Sequence, residues 1–210
     1  ATEYAAILNE GSVASGGPVI FNNLLGLGSG TDWQKEVLRT DAPIIQNNFS
    51  ARGGSESVSY YLATGYTSQE GILYGEDKSF FDRFNFTTNV DVDLTDKLTA
   101  RVYNTYSNEK GSGLGDVLFN ALNMSPTTPV YDANGNFGTS NTITQEVKNP
   151  LAQISNSYNE SNVNKITGKV ELEYDVFKDF SITGRLGYNY VDIKDKSFSP
   201  LVYYGAGHNQ

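Results

Sequence analysis

The chain has 210 residues, of which 19% are charged, and it carries a formal net charge of −9. The acidic balance argues against a nucleic-acid-binding protein, because such proteins need clustered Lys and Arg to neutralise phosphates. The absence of cysteine excludes disulfide bonds and thiolate metal sites.

The first 42 residues predict a lead-in of short helices and loops. Residues 2–10 place Tyr4, Ile7 and Leu8 at helical spacing, which predicts a short helix. Residues 11–30 contain several glycines that break regular structure, and residues 32–38 predict a second helical turn with Thr31 or Asp32 as its N-cap. The start of the sequence has neither an initiator Met nor a signal peptide, so it reads as the interior of a longer protein.

From residue 43 onwards the dominant pattern is a two-residue alternation of apolar and polar side chains. In residues 83–94, Phe84, Phe86 and Val90 alternate with polar residues such as Asn85 and Asp91. Successive side chains of a strand point to opposite faces, so each such segment separates an apolar environment from a wet one. The alternation predicts six strands, at residues 45–52, 57–67, 80–94, 98–108, 165–176 and 180–190.

The connections between these strands alternate in length. Tight turns near Gly54, Asp96 and Lys178 alternate with long polar links at residues 68–79, 109–163 and beyond 191, and a helix is predicted at residues 116–123. Tight turns at one rim and long loops at the other are typical of outer-membrane barrels, as is a chain with 14 Tyr, 11 Phe and 21 Gly. Aromatic residues also lie near the predicted strand ends, as in an interfacial girdle.

These patterns predict an all-β fold, an antiparallel transmembrane β-barrel segment of about six strands of a larger barrel, with short helices in the loops. Residues 43–210 form this segment, and residues 109–163 form a long extracellular loop. Phe86, Val90, Leu172 and Leu186 are expected to face lipid. A soluble β-sandwich with one solvated face per strand fits the same alternation and remains the alternative.

Several separate stretches carry a specific resemblance. The resemblance covers most of the chain and is clearest in residues 30–36 (GTDWQKE), 46–50 (QNNFS), 53–66 (GGSESVSYYLATGY), 69–72 (QEGI), 125–137 (SPTTPVYDANGNF) and 149–152 (NPLA). In order and spacing they resemble the first part of the barrel of SusC/RagA-type TonB-dependent outer-membrane transporters.

That resemblance implies an importer of oligosaccharides or peptides in the bacterial outer membrane, energised through TonB. It also implies a SusD-like surface lipoprotein as a lid, a plug that would precede residues 1–42, and contact with TonB through that missing N-terminal part. About six strands cannot close a membrane barrel, for which 8 is roughly the minimum, so the chain reads as one part of a longer importer. The alternatives are a secreted soluble β-sandwich that binds carbohydrate and a passive porin-like barrel.

Two groups of residues are candidates for contact with substrate or plug. The polar positions of the strands would line the lumen: Arg83, Asn85, Asn89, Asp91, Asp93, Arg101, Lys169, Glu171, Glu173 and Arg185. Aromatic and amide side chains of the loops would bind substrate by stacking and hydrogen bonds: Tyr74, Phe119, Asn123, Tyr131, Phe137, Tyr158, Tyr203 and Tyr204. Generic ion pairing in a hydrated lumen and ordinary loop packing are the competing explanations.

Other motifs do not support catalysis, a cofactor or a metal. Residues 132–136 (DANGN) resemble the start of a calcium loop, but the position that needs a bidentate acid is Ile143, so a tight turn is expected. Residues 26–30 (GLGSG) have no strand–helix unit around them, and His208 has no evident orienting acid. The sequence therefore predicts a protein that is not an enzyme.

Overall fold

The computed structural model describes residues 1–75, 78–139 and 148–199, which contain one six-stranded antiparallel sheet and several short helices. Each strand pairs with its neighbours in sequence order. The strands are β1 (Ile44–Gly54), β2 (Val58–Glu70), β3 (Phe80–Thr95), β4 (Leu98–Ser112), β5 (Tyr158–Phe177) and β6 (Phe180–Phe198). The helices are α1 (Thr2–Ala14), a 3₁₀ turn (Leu25–Leu27), α2 (Trp33–Val37), α3 (Val117–Asn123) and α4 (Pro150–Asn156). The predicted fold class is confirmed. No helix within these described ranges is long and apolar enough to cross a membrane.

The register keeps like residues on the same face across the whole sheet. Asp91 pairs with Arg101, Arg101 with Glu171, and Glu171 with Arg185, so these four residues form one row. One position along, Val90 pairs with Val102, Val102 with Val170, and Val170 with Leu186. A one-residue shift in any pairing would mix the two sets, so the sequence pattern fixes this register. We call the side of the first row the polar face and that of the second the apolar face.

The two ends of the sheet differ as the sequence predicts. Residues 55–57, 96–97 and 178–179 join the strands at one end, which we call the turn rim. The connections from β2 to β3 and from β4 to β5 begin and end at the opposite end, the loop rim. The lead-in also meets β1 at the loop rim, because Ile44 pairs with Gln69 at the end of β2.

The strands extend further towards the loop rim than predicted. The expected loop at residues 109–163 is too long at both ends, because β4 continues to Ser112 and β5 begins at Tyr158. Residues such as Lys110 and Asn162 pair across this extension, where both faces are polar. The apolar/polar alternation is lost there while the backbone ladder continues, so the sequence pattern gave no signal for these strand ends.

The helices are set by local capping and packing. Asp32 is the N-cap of α2 and accepts a hydrogen bond from the backbone N–H of Lys35 (3.2 Å), as one of the two predicted caps. Helix α4 was not predicted, although Asn149 caps it and Pro150 occupies its first turn, a combination that favours a helix start.

A small hydrophobic core lies at the loop rim. Trp33, Val37, Leu73, Val117 and Met124 are buried there, together with Ala121 and Ile154. Helices α2, α3 and α4 contact one another around it. We call this unit, formed by residues 31–39, 71–75, 113–139 and 149–156, the loop cap.

Candidate functional site

Glu171 is the centre of an ion-pair network on the polar face. Its carboxylate oxygens lie 2.9 Å from Arg101 Nη1, 2.6 Å from Arg185 Nε and 3.3 Å from Lys169 Nζ. Arg101 Nη1 also lies 2.5 Å from Glu173 Oε2. Glu171 is only 5% exposed. A nearly buried carboxylate needs its charge compensated, and the three cations around it do this.

A second set of contacts extends this network across the face. The Tyr103 hydroxyl donates to Asp91 Oδ1 (2.8 Å), and Lys169 Nζ lies 4.7 Å from the centroid of the Tyr103 ring. The Thr99 hydroxyl donates to Asp93 Oδ1 (2.7 Å). Tyr103 was not among the predicted site residues, although its position between Arg101 and Thr105 places it on the polar face.

A cavity of about 520 Å³ opens beside Tyr103. Its lining includes Arg52, Tyr61, Asn89 and Asp91, of which Asn89 and Asp91 are sequence candidates. The register aligns Arg52, Tyr61, Asn89 and Tyr103 in a single row on neighbouring strands. The cavity is therefore lined by three tyrosines, an amide and charges of both signs.

The remaining lumen candidates lie on the same face towards the loop rim. Arg83 pairs with Glu109, and Glu109 Oε2 lies 3.1 Å from Lys165 Nζ. Among the described residues, no hydrogen-bond partner is found for the buried Arg83 Nε. A Cβ added to Gly65 would lie 2.7 Å from Asn85 Oδ1, so Asn85 packs directly over this glycine. All ten candidates thus share one face, but only those around Glu171 and Tyr103 form a continuous cluster.

The loop cap is held by hydrogen bonds between segments distant in sequence. Trp33 Nε1 donates to the Ser125 carbonyl (3.0 Å), and the Thr31 hydroxyl donates to the Thr128 carbonyl (2.7 Å). The Asn149 side chain donates to the carbonyls of Val130 and Gly138, both at 3.1 Å. The lead-in and the long loop are therefore joined into a single unit.

Two of the loop candidates, Tyr74 and Tyr131, line one groove of about 760 Å³ on the loop cap. The Phe137 ring centroid lies 5.2 Å from that of Tyr131. The intervening turn is organised by Asp132, whose Oδ1 accepts from the backbone N–H of Asn136 (2.9 Å) and of Asn134 (2.8 Å). These hydrogen bonds, that from Asn136 foremost, hold the pKa of the Asp132 carboxyl below its ordinary value.

The other loop candidates lie away from this groove or outside the described residues. Phe119 is exposed on α3, and Asn123 donates to its carbonyl (2.8 Å). The Tyr158 hydroxyl donates to the Glu160 carboxylate at the start of β5. Tyr203 and Tyr204 lie outside the described residues. In the described part of the chain, His, Asp and Glu side chains form no group of three that could hold a metal.

The chain is similar in sequence to part of several TonB-dependent receptors. It is 30% identical over 215 residues to TonB-dependent receptor P26 of Formosa agariphila, covering 99% of this chain and 21% of that receptor. It is 28% identical over 167 residues to TonB-dependent receptor SusC of Bacteroides thetaiotaomicron, covering 69% of this chain and 16% of SusC. The resemblance seen in the sequence is confirmed, and the chain spans about a fifth of the length of the curated relatives it matches. No protein-family model matches it.

Solved structures support the same fold. The RagAB peptide transporter structure contains a chain that superimposes with a TM-score of 0.63 at 18% identity, covering 80% of this chain and 20% of that one. The RagAB peptide importer in its open-open state gives a TM-score of 0.62 over 86% of this chain and 21% of that one, again at 18% identity. At this identity the likeness concerns the fold.

Proposed function

We propose that this chain is a section of the barrel wall of a TonB-dependent importer in the bacterial outer membrane, contained in a longer protein. The observation that carries the proposal is that one sheet of long strands has a polar face and an apolar face, and that its connections are short at one end and long at the other. Similarity to a TonB-dependent receptor along 99% of the chain supports it.

The apolar face has dimensions that suit a bilayer. On β4 its apolar belt runs from Leu98 to Tyr106, and on β5 it runs from Tyr174 to Ile166. Eight residue steps correspond to roughly 27 Å along a strand, which a tilt of about 40° reduces to roughly 20 Å, close to the ~25 Å apolar band of outer-membrane barrels. Beyond Tyr106 the same face carries Asn108 and Lys110, so the belt ends in polar residues.

The polar face then faces the lumen. Its ion pairs cost little in a hydrated channel, whereas the same charges at the centre of a bilayer would be strongly unfavourable. In this arrangement the network around Glu171 and the cavity beside Tyr103 meet the plug or the passing substrate. The substrate is an oligosaccharide or a peptide.

The loop rim is the outer rim, because outer-membrane barrels carry their longer loops outside and their short turns in the periplasm. The loop cap, including lead-in residues 31–39, then lies at the cell surface. This position suits contact with a SusD-like surface lipoprotein. TonB would be contacted by parts of the longer protein outside this chain.

Uptake measurements test the proposal. Deletion of the complete gene in its source bacterium is expected to abolish accumulation of at least one oligosaccharide or peptide. A plasmid-borne copy of the gene is expected to restore that accumulation. A protonophore should have the same effect as the deletion, because the energy comes from the inner membrane. Gene-dependent uptake that persists with the protonophore would contradict energised import and favour a passive barrel.

A further inference from the structure

The groove on the loop cap is built by three segments that are far apart in sequence. The lead-in supplies Lys35, Glu36, Leu38, Arg39, Thr40 and Asp41; the β2–β3 loop supplies Tyr74; and the long loop with α4 supplies Val130, Tyr131 and Leu151. Its volume of about 760 Å³ lies within the range of roughly 300–1,000 Å³ typical of ligand pockets. Convergence of three segments on one concave surface is the usual architecture of a binding site.

The floor and walls of this groove are held in place before any ligand arrives. Leu38, Val130 and Leu151 pack against the buried core that includes Trp33. Tyr74 donates its backbone N–H to the Val37 carbonyl (2.8 Å), and Arg39 donates its own to the Ile72 carbonyl (2.8 Å). Binding to such a site requires little ordering of the protein, which favours affinity.

The two tyrosine rings are exposed although their backbones are fixed. Tyr74 is 63% exposed and Tyr131 is 53% exposed. Rigid aromatic side chains that face solvent from a fixed backbone provide flat apolar contact area together with a hydroxyl for hydrogen bonding. The C–H face of a sugar ring, which carries partial positive charge, complements the negative face of such a ring.

The charges of the groove favour a neutral ligand. Two cations, Lys35 and Arg39, are balanced by two anions, Glu36 and Asp41, so the lining has no net charge. Arg39 Nη2 is already paired with Glu70 Oε2 (2.6 Å), so the hydrogen bonds to a polyhydroxylated ligand come from Lys35, Glu36, Asp41 and the Thr40 hydroxyl. A peptide bound as an added strand would need free backbone groups, but those of Val37, Arg39, Ile72 and Tyr74 named above already bond to one another.

We infer that this groove is a surface binding site for a neutral saccharide, held between Tyr74 and Tyr131 and hydrogen-bonded by the polar residues of the lead-in. The inference rests on the proposed function, which it deepens by naming oligosaccharides as the substrate class. The site lies on the loop cap, separate from the polar face, and so makes first contact with the glycan at the rim.

A binding experiment on the complete gene product tests this. The protein, purified in detergent, is applied to an array of neutral and charged oligosaccharides and of short peptides. We expect binding to at least one neutral oligosaccharide. Its dissociation constant should change little between about 0.05 M and about 0.5 M salt, because salt screens interactions between exposed charges and a neutral ligand carries no charge. The double variant Tyr74→Ala/Tyr131→Ala should weaken that binding about tenfold or more, because both stacking rings are lost.

Ile72→Ala is the matched control. Ile72 belongs to the same loop as Tyr74 and is 54% exposed, but it does not line the groove. The Ile72→Ala variant should therefore bind the oligosaccharide as tightly as the wild type. Tyr74→Phe should retain most of the affinity because it keeps the ring. Absence of neutral-oligosaccharide binding, selective binding of peptides, or unchanged binding by the double variant would each overturn the inference. If the groove variants bind like the wild type while the complete gene still supports uptake, the site is rejected and the importer stands. If binding depends on the groove but the gene supports no uptake, the importer is rejected.

Discussion

The hydroxyl of Tyr188 on β6 donates a hydrogen bond to the side-chain carbonyl of Asn104 on β4, across the intervening strand β5. The Tyr188 ring lies over Gly168, where an added Cβ would overlap both the ring and the Asn104 side chain. All three residues lie within the apolar belt. In the proposed arrangement this face meets lipid, which offers no hydrogen-bond partner, so the contact supplies one for Asn104, and the glycine leaves room for the ring.

We predict that Gly168→Ala destabilises the barrel, because the new methyl group displaces the Tyr188 ring and leaves the Asn104 amide without its partner. Loss of such a hydrogen bond costs about 1–3 kcal/mol. Gly184→Ala is the matched control, since it lies on the apolar face of the neighbouring strand with no atom within 4 Å of the added Cβ. Denaturant unfolding of both variants in detergent measures the difference, and equal stability would contradict the role of the contact.

Replacement of Val90 by Arg tests the assignment of the apolar face. Val90 and Val102 are cross-strand partners near the middle of the belt, where an Arg facing lipid costs about 2–4 kcal/mol. The fraction of folded protein in membranes, measured by heat-modifiable gel mobility, should fall. Thr105→Arg, on the exposed polar face, should fold like the wild type. If Val90→Arg folds equally well, that face does not meet lipid.

Glu171→Gln is expected to lower the thermal unfolding midpoint. The change removes the negative charge that Arg101, Lys169 and Arg185 share, so the three cations then repel one another. Arg185→Gln should have a smaller effect because its side chain is 65% exposed. High salt should narrow the difference from wild type. A midpoint at low salt that matches the wild type would show that the network contributes nothing.

Trp33→Ala is expected to open the loop cap without unfolding the sheet. The change removes a buried ring and its hydrogen bond to Ser125, a loss of about 3–5 kcal/mol for such a core truncation. Amide hydrogen exchange should accelerate in residues 113–139 and stay slow in the pairs between β3 and β4. Leu25→Ala, at a side chain that is 92% exposed, serves as the control. Unchanged exchange in the cap of Trp33→Ala would rule out this core as its support.

The sheet could be predicted from the sequence because each strand carries its own evidence. The alternation through Phe84, Phe86 and Val90 identifies a strand and its two faces without reference to any other segment. The strand ends near Lys110 and Asn162 could not be predicted, since both faces are polar there and only pairing with a neighbour maintains the ladder.

The candidate sites were predictable to a different extent. The two-residue alternation within each strand predicts that Arg101, Glu171 and Arg185 each lie on the polar side of their strand. Their alignment in one row depends on the register between the strands, which the sequence of a single strand does not contain. The groove joins Tyr74 to Tyr131 through the packing of Trp33 and α4, which are distant in sequence. No local pattern could have selected these two tyrosines from the other loop aromatics.

The central claim is that the sheet crosses the outer membrane with the loop cap outside, and cysteine labelling tests it most directly. The chain has no cysteine. Single cysteines at Asn134 in the long loop and Asp96 in a tight turn can therefore be compared in the complete gene product, with any cysteine outside this chain replaced by serine. Treatment of intact cells with a membrane-impermeant maleimide should label Asn134→Cys, and Asp96→Cys should react only after the outer membrane is permeabilised. Labelling of Asp96→Cys in intact cells, or protection of Asn134→Cys, would contradict the proposed orientation.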